Sequence, residues 1–230
     1  MILITGATRG IGKYLFDAFL GKDYNVRGTY SNTLPASHYD KYTKKLLSPV
    51  DITIPRDVEH WIANIKNKQF LTLINCAGIN YTSFAHKADI ELWHEVIEVN
   101  LMGTFNVIRY ILPYMRRQVY GRIINFSSIV AQLPTPGTSA YAASKAGLWG
   151  MTKSLASENA SFNITINNLN LGYFNIGMII EVGLEFQEKL KKEIPTHEFG
   201  KPSDILQTVI YLIEMEYING TSIDINGGKF

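Results

Sequence analysis

Three side chains stand where they could move a proton. Tyr141 and Lys145 lie four apart in Tyr141-Ala142-Ala143-Ser144-Lys145, at the head of a stretch of helical period rich in the small residues Ala146, Gly147 and Gly150. Four residues is close to one helical turn, so both side chains fall on one face. A phenol with a pKa of about 10 exchanges protons poorly at neutral pH, and a neighbouring ammonium stabilises its phenolate and lowers that value. Thirteen residues before Tyr141, Ser128 closes the run Arg122-Ile123-Ile124-Asn125-Phe126-Ser127. If that run is a strand, its hydroxyl sits at the carboxyl edge of a sheet, where doubly wound folds bind ligands. Tyrosine and lysine at this spacing also recur by chance, so the pair gains weight only from the serine and the surrounding elements.

A second constellation opens the chain. The run Ile2 to Thr5 leads directly into Gly6-Ala7-Thr8-Arg9-Gly10-Ile11-Gly12, followed by a helical pattern with apolar Leu15, Phe16, Phe19 and Leu20. A strand, a glycine turn and a helix bring backbone N–H groups and the positive end of a helix dipole to one point. Residues without Cβ atoms there let a pyrophosphate approach the chain. The glycine spacing is GxxxGxG rather than GxGxxG.

Elements alternate along the chain in a way that could position both groups. Candidate strands are Ile2 to Thr5, Asn25 to Tyr30, Lys45 to Val50, Leu71 to Asn75, Arg122 to Ser127, Ile164 to Asn170 and Thr221 to Ile225. Candidate helices are Ile11 to Leu20, Arg56 to Asn67, Asp89 to Arg117, Ala140 to Ala160, Ile179 to Glu193 and Ser203 to Glu216. Asp89 and Ser203 suit N-caps, Pro55 and Pro202 suit helix starts, and Pro113 should bend or end the longest helix. Near-continuous apolar strands alternating with helices predict βαβ units and a buried parallel sheet, an α/β class. Two segments read as exposed loops, Ser31 to Tyr42 and Gly172 to about Gly183.

Composition bounds the remaining possibilities. With 230 residues, 46% hydrophobic and 18% charged, the chain predicts a single folded domain over residues 1–230. The net charge is +2 with basic residues scattered, so no footprint for nucleic acid is expected. The single cysteine, Cys76, permits neither an internal disulfide nor a cysteine-based metal cluster. Met1 to Gly6 reads as a strand meeting a glycine and not as a secretory leader. No apolar run approaches the roughly 18–20 residues that span a bilayer. A cytoplasmic protein without a membrane partner is expected.

Taken together, these motifs resemble the short-chain dehydrogenase/reductase family over essentially the whole chain, through to Asp224-Ile225-Asn226-Gly227-Gly228. The pattern is most similar to the compact 3-oxoacyl-(acyl carrier protein) reductase branch. The resemblance implies a Rossmann fold, a doubly wound sheet of seven parallel strands in the order 3-2-1-4-5-6-7. It implies that Ser128 orients the substrate oxygen, that Tyr141 is general acid in reduction and base in oxidation, and that Lys145 lowers the tyrosine pKa and holds the nicotinamide ribose. Asn100, in Glu98-Val99-Asn100-Leu101, matches the family asparagine that anchors a proton-relay water. For the cofactor, the resemblance implicates Gly6, Thr8, Arg9, Gly10, Ile11 and Gly12 in the turn, with Asp51 and Ile52 after the third strand at the adenine. Asn75, Ala77 and Gly78 match a family Asn-Asn-Ala-Gly segment in which Cys76 replaces the second asparagine; Cys76 is expected to be a small packed residue.

NAD-binding chains usually carry an acidic residue at the end of the second strand for the ribose 2′-OH. Here Val26-Arg27-Gly28-Thr29-Tyr30-Ser31-Asn32 offers none. Arg9 sits where NADP-preferring relatives carry a base, and Ser31 and Asn32 could donate to a 2′-phosphate; NADP is therefore expected over NAD. The chain departs from the family after the sixth strand, where Leu171 replaces a proline and Ile176 a threonine that bonds the carboxamide. Gly172 and Met178 keep the register, so Gly172 and Ile176 should still cover the cofactor.

The expected reaction is hydride transfer between a nicotinamide and the carbonyl or alcohol of a small metabolite. The alternatives are reduction of a 3-oxoacyl group on a carrier protein or CoA, and an NADP(H) sensor without turnover. Carrier-protein reductases tend to place basic residues before the fifth and sixth strands; Val119, Tyr120, Phe162 and Asn163 stand there, with Arg116 and Arg117 close by. Tyr81, Phe84, His86, Gln132, Leu133, Thr138, Tyr173 and Phe174 are expected to wall the substrate cleft, with a substrate loop over about 172–190. A homotetramer, or else a homodimer, is implied by the resemblance, through the two long helices and the last helix and strand.

Overall fold

The computed structural model describes the backbone of residues 1–230 and every side chain except those of Met178 and Glu181. Seven strands, β1 (Ile2–Thr5), β2 (Val26–Tyr30), β3 (Leu47–Pro49), β4 (Thr72–Asn75), β5 (Gly121–Ser128), β6 (Ile164–Leu171) and β7 (Ser222–Ile225), form one sheet. Every pairing is parallel and the order is β3-β2-β1-β4-β5-β6-β7, as expected. Eight α-helices connect them: α1 (Gly10–Leu20), α2 (Lys41–Lys44), α3 (Pro55–Asn64), α4 (Ile90–Ile97), α5 (Thr104–Gln118), α6 (Ser139–Asn159), α7 (Leu184–Glu193) and α8 (Pro202–Glu214).

Helices cover both sheet faces, and each face has its own apolar layer. On one, Leu15, Phe16 and Phe19 of α1 meet Ile205, Val209 and Leu212 of α8 over β1, β4 and β5. On the other, Trp61 and Ile62 of α3, Val107 and Ile111 of α5 and Leu155 of α6 pack over Leu3, Leu73 and Ile123. Full burial stabilises each such side chain by roughly 1.5–3 kcal/mol. That two-sided cover explains why β1 and β4 are buried at every position.

Several boundaries differ from the sequence reading for local reasons. The stretch read as one helix from Asp89 to Arg117 divides into α4, a π-helical turn over Glu98–Gly103, and α5. Pro113 neither ends nor replaces α5; it lies on the outer side with exposed Arg109, whose orphaned carbonyl water can satisfy. Asp89 caps α4 by accepting from the N–H groups of Glu91 and Leu92. Ser203 is not a cap, because α8 begins at Pro202 and Asp204 accepts from the Lys201 N–H instead. The segment 177–181 is a short 3₁₀ turn, so α7 starts at Leu184 rather than at Ile179.

Strand β6 is not the apolar run its place suggests. Asn167, Asn168 and Asn170 are all buried there. Each finds partners: Asn167 donates to the Ile218 carbonyl and accepts from the Thr221 N–H, and Asn168 donates to Ser222. A buried amide without such bonds would cost about 1–3 kcal/mol.

Candidate active site

The carboxyl ends of β1, β2, β4, β5 and β6 open onto a single cleft of about 1100 Å³. One end is built by backbone. Gly6 has φ +66°, and a Cβ there would lie 2.9 Å from the Ala77 Cα. A Cβ on Gly12 would run into the Gly6 carbonyl oxygen. Only glycine lets the turn and the strand-end segment close up this tightly. Arg9 is the helix N-cap and offers no side-chain bond to the first turn of α1, so the N–H groups of that turn remain available at the cleft wall. The turn is fastened outward by the Thr8 hydroxyl, which donates to the Thr33 carbonyl at 2.7 Å, and by Arg9, which donates to the Gly78 carbonyl at 3.2 Å.

The other end is built by side chains. Ser128 closes β5, and Tyr141 and Lys145 occupy one face of α6; all three line the cleft. Lys145 is buried, with Nζ donating to the Phe126 carbonyl at 2.7 Å and lying 5.5 Å from the centroid of the Tyr141 ring. Burial pushes the Tyr141 phenol up to about 12, while the Ser128 hydroxyl pulls the other way. Burial brings the Lys145 ammonium down to about 8, with Cys76 acting weakly in the opposite sense. The penalty for burying a phenolate dominates at Tyr141, and the Lys145 ammonium, held by the Phe126 carbonyl, stands beside the ring.

Asn100 lies in the π turn, fully buried, and does not line the cleft. Its amide clamps Ile79 by accepting from the N–H and donating to the carbonyl, both at 2.9 Å, and it also donates to Ser144 at 3.1 Å. It reaches the site from behind: a methyl on Gly78 would sit 3.2 Å from Asn100 Oδ1 and 3.7 Å from Lys145 Nζ. The π turn that carries Asn100, a device frequent at functional sites, thus sits against the segment that follows β4.

Of the expected cofactor residues, Gly6, Thr8, Arg9, Gly10, Ile11, Gly12, Ser31, Asn32, Asp51, Ile52, Ala77, Gly78, Gly172 and Ile176 all line this cleft. Asn75 does not; it is buried in β4 and donates to Asn125 at 2.8 Å. Met178 was read as keeping register, and its side chain lies outside the described residues. Cys76 lines the cleft, and burial pushes its thiol well above the usual range, in keeping with a packed residue.

The substrate wall is drawn differently from the expectation. Thr138, Tyr173 and Phe174 line the cleft, but Tyr81, Phe84, His86, Gln132 and Leu133 do not. Tyr81 turns its hydroxyl to accept from the Asp89 N–H, Phe84 and His86 lie exposed against each other, and Gln132 points to Asp224. In their place stand Thr82, Val130 and Pro136, faced by Ile179, Val182, Phe186 and Leu190. The four-residue spacing of Phe186 and Leu190, one turn of α7, is a signal present in the sequence.

A parallel sheet in this order, with a glycine turn after β1 and Ser128, Tyr141 and Lys145 at the ends of β5 and α6, defines a nicotinamide-dependent oxidoreductase of the dinucleotide-binding kind. The family model for short chain dehydrogenase matches residues 1–185. The chain is 33% identical to the 3-oxoacyl-[acyl-carrier-protein] reductase FabG of Staphylococcus aureus, with 99% of this chain and 97% of that protein aligned. It is equally 33% identical to the acetoacetyl-CoA reductase of Shinella zoogloeoides, over 99% and 97%. The crystal structure of a 3-oxoacyl-[acyl-carrier protein] reductase from Brucella melitensis superposes with a TM-score of 0.88 at 28% identity, covering 99% of this chain and 90% of that one. The chain belongs to the short-chain dehydrogenase/reductase family and is an oxidoreductase acting between C=O and CH–OH groups.

Proposed function

We propose that this protein is an NADP(H)-dependent reductase of a small-molecule carbonyl, with residues 1–230 acting as one cofactor-binding and catalytic unit. The observation that carries the reading is the convergence on one cleft of the glycine turn at one end and Ser128, Tyr141 and Lys145 at the other. The residues present fit a dinucleotide: the Cβ-free approach at Gly6 and Gly12 and the first-turn N–H groups of α1 suit a pyrophosphate. Ser31, Asn32 and Arg9 would hold a 2′-phosphate, with no carboxylate at the end of β2 to repel it. Asp51 and Ile52 would meet the adenine, and Gly172 and Ile176 the nicotinamide side.

A nicotinamide held by these residues would supply hydride for a carbonyl carbon. Ser128 donates a hydrogen bond that orients the carbonyl oxygen, and Tyr141 gives that oxygen its proton. At neutral pH the phenol stays protonated, the form that carries the proton to be given. Lys145 places an ammonium behind the phenolate that remains, solvent water returns the proton to it, and Asn100 holds the Ile79 segment in place.

A second reading narrows the substrate to a 3-oxoacyl thioester. It is supported by the names of the relatives and by the apolar face that Ile179, Val182, Phe186 and Leu190 turn to the cleft. The bases nearest β5 are already engaged, Arg116 on Asn159 and Phe162 and Arg117 on Tyr114, which speaks for a small thioester over a carrier protein. Among the described residues no helix is long and apolar enough to cross a membrane. Exposed Met102 and Phe105 beside α4 and Tyr211 on α8 suit a tetramer or a dimer, and a monomeric mass by light scattering would contradict both.

Fluorescence titration with NADPH and NADH tests the cofactor, followed by turnover on ketones and acetoacetyl thioesters. NADPH should be the better cofactor by about tenfold or more, the worth of one charge-assisted bond. Equal or better efficiency with NADH would overturn the preference. Failure to bind either would mean that Leu171 and Ile176 mark a lost site.

A further inference from the structure

A chain of hydrogen bonds runs behind the catalytic wall from the last strand to Lys145. On β7, one carboxylate oxygen of Asp224 accepts from Gln132 Nε2 at 2.7 Å and from Asn170 Nδ2 at 2.8 Å. Gln132 follows the short turn that leaves Ser128, and Asn170 is buried in β6. Asn170 Oδ1 in turn accepts from the Trp149 indole N–H at 3.0 Å, which is shared with Ser127 Oγ at the same distance. The Ser127 hydroxyl then donates to the main-chain carbonyl of Lys145 at 3.0 Å.

Trp149 follows Tyr141 and Lys145 at steps of four along α6, so one helix face carries the two reacting side chains and then their anchor. Asp224 thereby grips two things at once: the turn after Ser128, through Gln132, and the helix of Tyr141 and Lys145, through Asn170 and Trp149. Bonds to an ionised carboxylate are the stronger kind; the Gln132–Asp224 bond lies at the surface, while the Ser127–Lys145 bond at the far end is buried, where linked bonds reinforce one another. A second chain, Asn75 to Asn125, Thr152, Asn168 and Ser222, crosses the same strands nearer their amino ends and meets none of the reacting groups.

We propose that Trp149 and Asp224 are positioning residues that fix the distance between Ser128 and the Tyr141–Lys145 pair through the Ser127–Trp149–Asn170–Asp224–Gln132 chain. The inference rests on the reductase reading above. Misplacing reacting groups by about 1 Å can cost on the order of 100-fold in rate, so the effect belongs in kcat and not in cofactor affinity.

The test compares Trp149→Phe, which keeps the ring and loses the donor, with Asp224→Leu, their double variant, and Ser222→Ala in the other chain. Trp149→Phe should lower kcat by about 10- to 100-fold with the NADPH Kd nearly unchanged. Asp224→Leu should lower it less, and the double variant should fall well short of the product of the two losses. Ser222→Ala should keep the wild-type kcat. Wild-type kcat in both Trp149→Phe and Asp224→Leu overturns the proposal, as does a kcat loss that Ser222→Ala reproduces. If Trp149→Phe fails to fold, exposed Asp224 still allows the comparison.

An NMR readout is independent of turnover. The Trp149 indole N–H resonance, assigned from its absence in Trp149→Phe, should move in Asp224→Leu and stay in place in Ser222→Ala. An indole resonance indifferent to Asp224 overturns the chain itself. Wild-type protein inactive on every carbonyl would instead sink the reductase reading, leaving the indole resonance to decide this proposal.

Discussion

The two ends of the cleft are made by different means. At the end formed by the glycine turn the shape comes from missing side chains and backbone N–H groups, so Gly6, Gly10 and Gly12 act where their own conformation puts them. At the opposite end it comes from side chains that arrive on loops and on α7, whose direction depends on what else they bond. Gln132 shows the difference: it follows Ser128 closely, yet it turns away to Asp224. A site shaped by the backbone is a local property of the chain, whereas a wall of side chains is a property of the whole fold.

That contrast predicts that damage at one end should leave the other intact. The largest effect should come from Tyr141→Phe, which removes the proton donor and should cut kcat by about 10³-fold. Its NADPH affinity, measured by fluorescence, should barely move; a parallel loss of affinity would break the distinction between the two ends. Gly12→Ala should do the opposite. Overpacking costs about 1–3 kcal/mol, here against the Gly6 carbonyl, so NADPH binding should weaken by roughly 10- to 100-fold. Turnover at saturating cofactor should be largely kept.

Measured pH profiles should sharpen the catalytic half. With the Tyr141 phenol pushed up to about 12, the acid form needed for reduction persists through the neutral range, and the phenolate needed for oxidation is scarce. Alcohol oxidation should therefore climb by close to tenfold per pH unit below that value, while reduction stays nearly flat around neutrality. A flat oxidation profile would contradict Tyr141 as the base. Phe186→Ala removes apolar contact on α7 and should raise KM for an apolar ketone by about tenfold, the worth of a partly buried ring, with NADPH affinity unaffected.

Much of the fold was legible because its causes are local. Alternating apolar runs and helical periods announce the parallel sheet, and β1 running into glycine announces the turn. The π turn was not legible: Asp89 to Arg117 has unbroken helical character, and only the clamp of Asn100 on Ile79 reveals the inserted residue. Nor were the buried asparagines of β6, whose partners lie up to 54 residues away. Ser128, Tyr141 and Lys145 could be picked out because a strand end and one helical turn fix their spacing. The burial that shifts the proton affinities of Tyr141 and Lys145, and the bond of Lys145 to the Phe126 carbonyl, are not revealed by spacing alone.

The smallest expected effect lies far from the cleft. Val119 ends α5 at φ +50°, a left-handed conformation costly for a β-branched residue. Val119→Gly should stabilise the protein by up to about 1 kcal/mol, seen as a higher Tm, without altering either end of the cleft.

The central claim, that this cleft moves a hydride onto a carbonyl carbon while Tyr141 delivers the proton, is tested most directly by isotope transfer. NADPH deuterated at the nicotinamide C4 would be incubated with the protein and a panel of ketones and acetoacetyl thioesters, and the products analysed by mass spectrometry. The account predicts an alcohol carrying deuterium at the former carbonyl carbon, made by the wild-type protein and not by Tyr141→Phe. Bound cofactor with no labelled alcohol from any carbonyl offered, or equal labelling by the variant, would contradict it.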